Sequence, residues 1–301
     1  MKEIIRTPEN RFENLPGYPF KSNYQQVENG LRMHYVDEGH NDDPVVLMLH
    51  GEPSWSYLYR KMIPILANQG YRAVAPDLIG FGKSDKLVSQ DDYSYENHLQ
   101  WLSTFIEKLE LKSIVLFCQD WGGLLGLRLI TSMGNRFAMV VASNTFIPTG
   151  EVPMPESFIK WREFSQKSPE FNIGKVLDMG TLKDLSPEII QAYNAPFPSE
   201  KYKAGARIFP MLVPVEKDEP EAINNRKAWQ ELLKWEKPFL TIWGDGDPIM
   251  RGADKVFQKY VPGTKNQPHT NLDAGHFIQE EKGEELAELV VSFIKRNNSK
   301  V

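Results

Sequence analysis

The chain has a single cysteine, Cys118, among 301 residues, so no intramolecular disulfide can staple it and the fold must rest on its core. It lacks any run near the roughly 18 apolar residues that a membrane-spanning helix needs. Residues 1–20 carry charges and prolines where a leader would be apolar. These absences predict a cytoplasmic protein with no membrane partner. There is no basic excess: 35 Lys and Arg and 40 Asp and Glu are mixed along the chain, giving a formal charge of -5. No face able to track a phosphate backbone is expected, which excludes nucleic acid as a partner. The six histidines show no paired ligand spacing, so neither a metal nor an organic cofactor is implied. Gly80-Phe81-Gly82-Lys83-Ser84-Asp85 lacks a Gly-Lys-Ser/Thr at a helix start with the right spacing, and reads as a structural turn.

What is present is apolar patterning. A hydrophobic content of 41% can bury one substantial core, enough for a large α/β domain with an insertion. Residues 24–28 and 31–37 flank Asn29-Gly30, the dipeptide suited to a two-residue type I′ hairpin turn. Short apolar runs at 45–49, 72–75, 113–117, 138–142 and 239–243 read as strands buried on both faces. Between and after them, 95–110 and 284–295 place Leu99, Leu102, Phe105 and Ile106, then Leu286, Leu289, Val290 and Phe293, at helical spacing. Alternating strands and helices predict an α/β fold, a mostly parallel central sheet flanked by helices on both faces. The alternation breaks after Asn144. Residues 147–235 are rich in proline and aromatics and show helical patches around Trp161 and Ile189. The chain is therefore divided into an α/β core of residues 1–147 and 228–301 and an inserted helical cap of residues 148–227.

The chemistry gathers where strands end. Residues 113–117 run into Cys118-Gln119-Asp120-Trp121-Gly122-Gly123 and then a helical run at 124–130. Strand, tight turn and helix are the setting of a nucleophile elbow, whose strained turn lifts the central side chain above the sheet. Taken alone, Asp120 suits a helix N-cap equally well. No Gly-x-Ser-x-Gly is present, which excludes a serine esterase. A second carboxylate follows strand 239–243 in Trp243-Gly244-Asp245-Gly246-Asp247-Pro248, and a histidine stands in Asp273-Ala274-Gly275-His276-Phe277. Nucleophile, acid, histidine is the order α/β-hydrolases use, the acid fixing the imidazole tautomer and the imidazole acting as base. Asp247 is preferred to Asp245 because Pro248 opens the loop that aims it at His276, whereas Asp245 suits the turn itself. His50-Gly51-Glu52-Pro53 follows another strand end, where the amide of Glu52 and that of Trp121 would converge on a developing oxyanion. His50 itself reads as a buried histidine bonded to loop backbone.

These residues resemble the haloalkane dehalogenases, from Asn14-Leu15-Pro16-Gly17-Tyr18 to the C-terminal helix. The segment His50-Gly51-Glu52-Pro53-Ser54-Trp55-Ser56-Tyr57-Leu58-Tyr59-Arg60, together with the Gly80, Asp120 and His276 motifs above, looks like that family. The resemblance implies the α/β-hydrolase fold with a helical cap, and Asp120, Asp247 and His276 as nucleophile, acid and base. Asn144 after the sixth strand is not an acid, which matches the branch whose acid comes later. That branch holds halide between two indoles. Trp121 supplies the first, and Phe158-Ile159-Lys160-Trp161 matches the cap pattern that supplies the second, with Phe158 in the pocket wall. The implied partners are a small neutral halogenated alkane, water and a halide product. A monomer is the expectation.

The residue types suit that reaction. Displacement at saturated carbon needs a nucleophile already ionised at neutral pH whose product can be hydrolysed; a carboxylate meets both demands, where serine would leave an inert ether. A departing halide needs hydrogen-bond donors and a dry pocket rather than a proton. Epoxide hydrolases share the Asp nucleophile but need an acidic donor from the cap, for which Tyr193 and Tyr202 are the candidates. Haloacid-specific relatives carry arginine where Trp121 stands. A reading of another class, a non-catalytic binding protein on this fold, would require loss of part of this set, and none is lost.

Overall fold

The computed structural model describes residues 2–298. Its sheet has eight strands: β1 (Asn23–Gln26), β2 (Arg32–Glu38), β3 (Val45–Leu49), β4 (Arg72–Pro76), β5 (Ile114–Gln119), β6 (Phe137–Ser143), β7 (Phe239–Gly244) and β8 (Thr270–Leu272). Their order is β1-β2-β4-β3-β5-β6-β7-β8; β2 runs against both neighbours and every other pairing is parallel. A short antiparallel ribbon joins Ile4–Ile5 to Lys86–Leu87. Every residue of β3, β5 and β7 is buried, as continuous apolar runs between two helical layers must be.

The helices follow in order: α1 (Ile63–Asn68), α2 (Tyr95–Lys108), α3 (Trp121–Ser132), α4 (Glu156–Lys167), α5 (Ile173–Met179), α6 (Pro187–Asn194), α7 (Ala204–Leu212), α8 (Pro220–Leu232), α9 (Ala253–Tyr260) and α10 (Ile278–Asn298). Helix α1 packs on α10, while α2 and α8 pack on α3. Helix α2 shows how sequence sets one element: Ser94 caps it by accepting from Asn97 N, and Leu99, Leu102, Phe105 and Ile106 form its buried stripe. Between β6 and α8 the chain makes α4 to α7, with α5 against α6 and α4 against α7. No described helix is long and apolar enough to cross a membrane.

Two expectations need correction. The hairpin between β1 and β2 is present, but its turn is not the two-residue type I′. Val27 N donates to Leu31 O at 2.8 Å, and Glu28–Gly30 form a tight helical turn with Gly30 at φ 75°. A three-residue loop of this kind needs only one left-handed position, and Gly30 fills it without steric cost. The junction drawn between residues 227 and 228 falls inside α8. That helix buries Ala222, Asn225, Ala228 and Leu232, and Arg128 of α3 bonds Glu221 at 2.6 Å, so α8 belongs whole to the layer on the sheet.

The register brings the chemistry to one edge. Leu49 pairs with Cys118, Gln119 with Ser143 and Gly244 with Leu272, so β3, β5, β6, β7 and β8 all end together. The segments that follow them converge at the carboxyl edge of the sheet, where open α/β folds place ligands. The turn from β5 into α3 is so tight that a Cβ on Gly122 would collide with the Leu49 carbonyl. Gly122→Ala is therefore expected to lose about 2–3 kcal/mol or fail to fold. Gly30→Ala, strained at positive φ but with nothing within 4 Å, should lose about 1–2 kcal/mol; urea titration of each variant measures both losses.

Candidate active site

Asp120 sits at φ 49° and ψ -125°, a conformation that costs a non-glycine residue about 1–3 kcal/mol. The backbone around it is pinned: its N–H donates to Asn144 O at 3.1 Å, and its carbonyl accepts from Gly123 N at 2.9 Å and Thr145 Oγ1 at 2.7 Å. Its side chain makes no capping bond to α3, although the residue stands at the N-cap position. Instead Oδ1 accepts from the amide of Glu52 at 2.7 Å, and Oδ2 lies 3.6 Å from His276 Nε2. Gly51 leaves the room for this approach, since a Cβ there would overlap the Asp120 carboxylate.

His276 Nδ1 lies 2.6 Å from Oδ2 of Asp247, a fully buried carboxylate. Asp247 Oδ1 accepts from the amides of Ile249 at 2.8 Å and Met250 at 3.1 Å, and Oδ2 accepts from Asn144 Nδ2 at 2.9 Å. Asn144 is held in turn by Gly244 N donating to its Oδ1 at 2.8 Å. Asp245 points elsewhere: it is exposed and accepts from Asn271 Nδ2 at 2.6 Å. Burial raises the pKa of Asp247, but His276 and the donated hydrogen bonds outweigh burial and draw it down to about 2. Burial lowers that of His276, yet the Asp247 charge and the Asp120 carboxylate reverse the effect and lift it to about 10. A contact not foreseen from sequence opposes them: Gln119 Nε2 donates to His276 O at 3.2 Å and lies 2.9 Å from ring Nε2, which suits the neutral, accepting ring. His50 is a structural histidine, its Nε2 accepting from Leu78 N at 3.0 Å.

Above these groups is a cavity of about 580 Å³ between the sheet edge and helices α4, α5 and α7. Asp120, Trp121, Trp161, Phe158 and His276 line it. Trp121 is held by the rings of Phe209 and Tyr95, at 4.5 and 5.1 Å between centroids. Trp161 stacks against Phe164 and Phe171 at 5.8 and 5.7 Å; Glu52 lines the same cavity, and Oε1 of its buried carboxyl has no hydrogen-bond partner among the described residues. Burial, reinforced by the Asp120 charge, holds that carboxyl well above the usual carboxylate range. Neither candidate tyrosine reaches the cavity, which no tyrosine lines; the Tyr193 hydroxyl is bonded to Glu280 and its ring rests on Tyr57. The wall residues Val152 and Leu182 were missed because the irregular segments that carry them have no period to read, and Met179 because it ends a seven-residue helix too short to show one. Among the described residues no group of three or more His, Cys, Asp or Glu could hold a metal ion.

The alpha/beta hydrolase fold family matches residues 44–283. A haloalkane dehalogenase of Psychrobacter cryohalolentis is 53% identical over 300 residues, covering 98% of this chain and 99% of that protein. The chain belongs to the haloalkane dehalogenases. Another dehalogenase, from Mycobacterium marinum, is 48% identical over 295 residues, 97% of this chain and 99% of that one. Haloalkane dehalogenase DpaA of Paraglaciecola agarilytica, described as tetrameric, superposes at a TM-score of 0.88 with 38% identity, over 95% of this chain and 97% of that one.

The dehalogenase carries a checkable electrostatic signature. Asp120→Asn keeps the side chain's size and removes one of the two anions facing His276. The histidine pKa, followed by NMR titration, should fall from about 10 toward its ordinary value. An unchanged value would show that Asp247 alone sets it.

Proposed function

We propose that this dehalogenase hydrolyses neutral halogenated alkanes through a covalent ester on Asp120. The observation that carries the reading is the pairing of the two Asp120 oxygens: Oδ1 is held by the Glu52 amide at 2.7 Å, while Oδ2 faces the cavity 3.6 Å from His276. Oδ2 is then the nucleophile, attacking the carbon in line and expelling halide. Trp121 and Trp161, which both line the cavity, donate their indole N–H groups to the departing ion. The pocket serves as a dry, apolar setting in which those donors act strongly.

Ester formation neutralises Asp120 and removes one of the two anions that stabilise the imidazolium. The proton held by His276 becomes easier to lose, and the neutral ring, its tautomer fixed by Asp247, takes a proton from water attacking the ester Cγ. Charge develops on Oδ1, already bonded to the Glu52 amide, with the Trp121 amide as second donor. Collapse breaks the Cγ–Oδ2 bond, so the alcohol leaves with an oxygen from Asp120 and the carboxylate regains one from water. The net reaction is alkyl halide plus water to alcohol, halide and a proton. Residues from Pro148 up to α8 act as the cap that shapes the pocket, and its lack of tyrosine hydroxyls favours halide departure over epoxide opening.

Asp120→Ala should release no halide from 1-bromobutane, and His276→Phe should release about one equivalent and retain an alkyl group detectable by intact mass. In wild-type single turnover in H₂¹⁸O, the label should enter Asp120 and not the alcohol; label in the alcohol would mean direct attack by water on carbon. Trp161→Phe removes one charge-assisted donor, worth about 1.5–3 kcal/mol, and should weaken bromide binding roughly 10- to 100-fold in a fluorescence titration.

A further inference from the structure

His276 sits on the loop 273–277 between β8 and α10, and that loop is held from outside by the segment after α5. The carbonyl of Gly180 accepts from His276 N at 2.8 Å and from Phe277 N at 3.4 Å. Half-buried Glu281, just before α10 departs from helical geometry at Lys282, folds back across the junction. Its Oε2 accepts from Gly275 N at 2.6 Å, and its Oε1 accepts from Leu182 N at 3.0 Å. One carboxylate therefore bonds the residue before His276 and a residue of the facing segment. The contact has no slack: a Cβ on Gly275 would strike the Gly180 carbonyl, and one on Gly180 would strike the Phe277 ring. Leu182 lines the cavity and is 51% exposed, so it stands at the cavity mouth.

We propose that Glu281 is a positioning residue that fixes His276 against residues 180–182, so that the base is in line only while that mouth segment is seated. The two chemical steps make different demands on it. Halide displacement uses Asp120 Oδ2, placed by the β5 turn and the Glu52 amide, and among the described residues no hydrogen bond joins Asp120 or Glu52 to residues 180–182. Ester hydrolysis requires His276 Nε2 to face water over the Asp120 carboxyl carbon. The Asp247 bond holds Nδ1, but the backbone from which the ring hangs is held by Gly180 and Glu281. Without Glu281 the amides of Gly275 and Leu182 lose their acceptor, and the Gly180 carbonyl alone is left to tie the loop to the mouth segment, so His276 is held less firmly.

This inference rests on the ester mechanism above, and one experiment separates the two. Glu281→Ala and the isosteric Glu281→Gln are mixed with 1-bromobutane and quenched in time, following bromide and alkyl-enzyme by mass. The expected result is a bromide burst within about twofold of wild type and decay of the alkyl-enzyme at least tenfold slower in Glu281→Ala. Glu281→Gln, which keeps one acceptor oxygen, should be slowed less, and in both variants the pH profile of ester decay should shift. A fall in both steps by the same factor alongside a lower Tm would make Glu281 a stability residue and overturn the proposal, as would an unchanged decay rate. Absence of alkyl-enzyme in His276→Phe would overturn the ester mechanism itself, and that control involves no Glu281 variant.

Discussion

A single residue held in a left-handed backbone conformation, Asp120 at φ 49°, is the constraint from which the rest of the site follows. The strain turns its carboxylate away from the helix it precedes and toward the Glu52 amide at 2.7 Å. Everything close by is shaped to keep it there. Gly51 makes room for the carboxylate, Gly122 lets α3 start against β3, and the Asn144 carbonyl and Thr145 hydroxyl bond its peptide groups. A buried sheet edge can hold such a turn because each strained torsion is opposed by several fixed neighbours.

The second theme is one imidazole between two carboxylates. Asp247, fully buried and bonded by two amides, Asn144 and His276, stays ionised to about pH 2 and so provides a permanent counter-charge. Asp120 provides the other, and in the proposed cycle this one is switched off by the chemistry itself. In that proposed cycle the same histidine is a stabilised cation before alkylation and a base after it, with Asp247 bonded to it throughout. Gln119, whose amide approaches the ring nitrogen at 2.9 Å, adds a donor that favours the neutral form.

Around this centre the insertion between β6 and α8 turns a general hydrolytic arrangement into an apolar cavity bearing two indoles. Its hold on the core is local and directional. Tyr193 reaches the buried Arg60–Glu280 pair, and Gly180 with Glu281 reaches the histidine loop, so the pocket wall and the base share supports. The kinship with dehalogenases at 53% and 48% identity over nearly whole chains agrees with the chemistry that this pocket favours.

Local pattern was enough for much of this. Apolar runs placed β3 to β7, helical spacing placed α2 and the bulk of α10, and the candidates Asp120 and Asp247 stood out because each comes soon after an expected strand, His276 because it completes the order nucleophile, acid, histidine. Such features depend on residues adjacent in the chain, and adjacency is what a sequence displays. The turn at Gly30 and the extent of α8 were misjudged where a neighbouring residue or a tertiary partner decided the outcome. Only the folded chain could choose between Asp120 as cap and Asp120 as a cavity-facing carboxylate, since the choice lies in a backbone angle and a bond to Glu52, 68 positions away. Only it could show Tyr193 turned to Glu280, or Glu281 joining Gly275 to Leu182. Those are hydrogen bonds between groups far apart along the chain, and their geometry exists only after the sheet edge and the insertion have closed on one another.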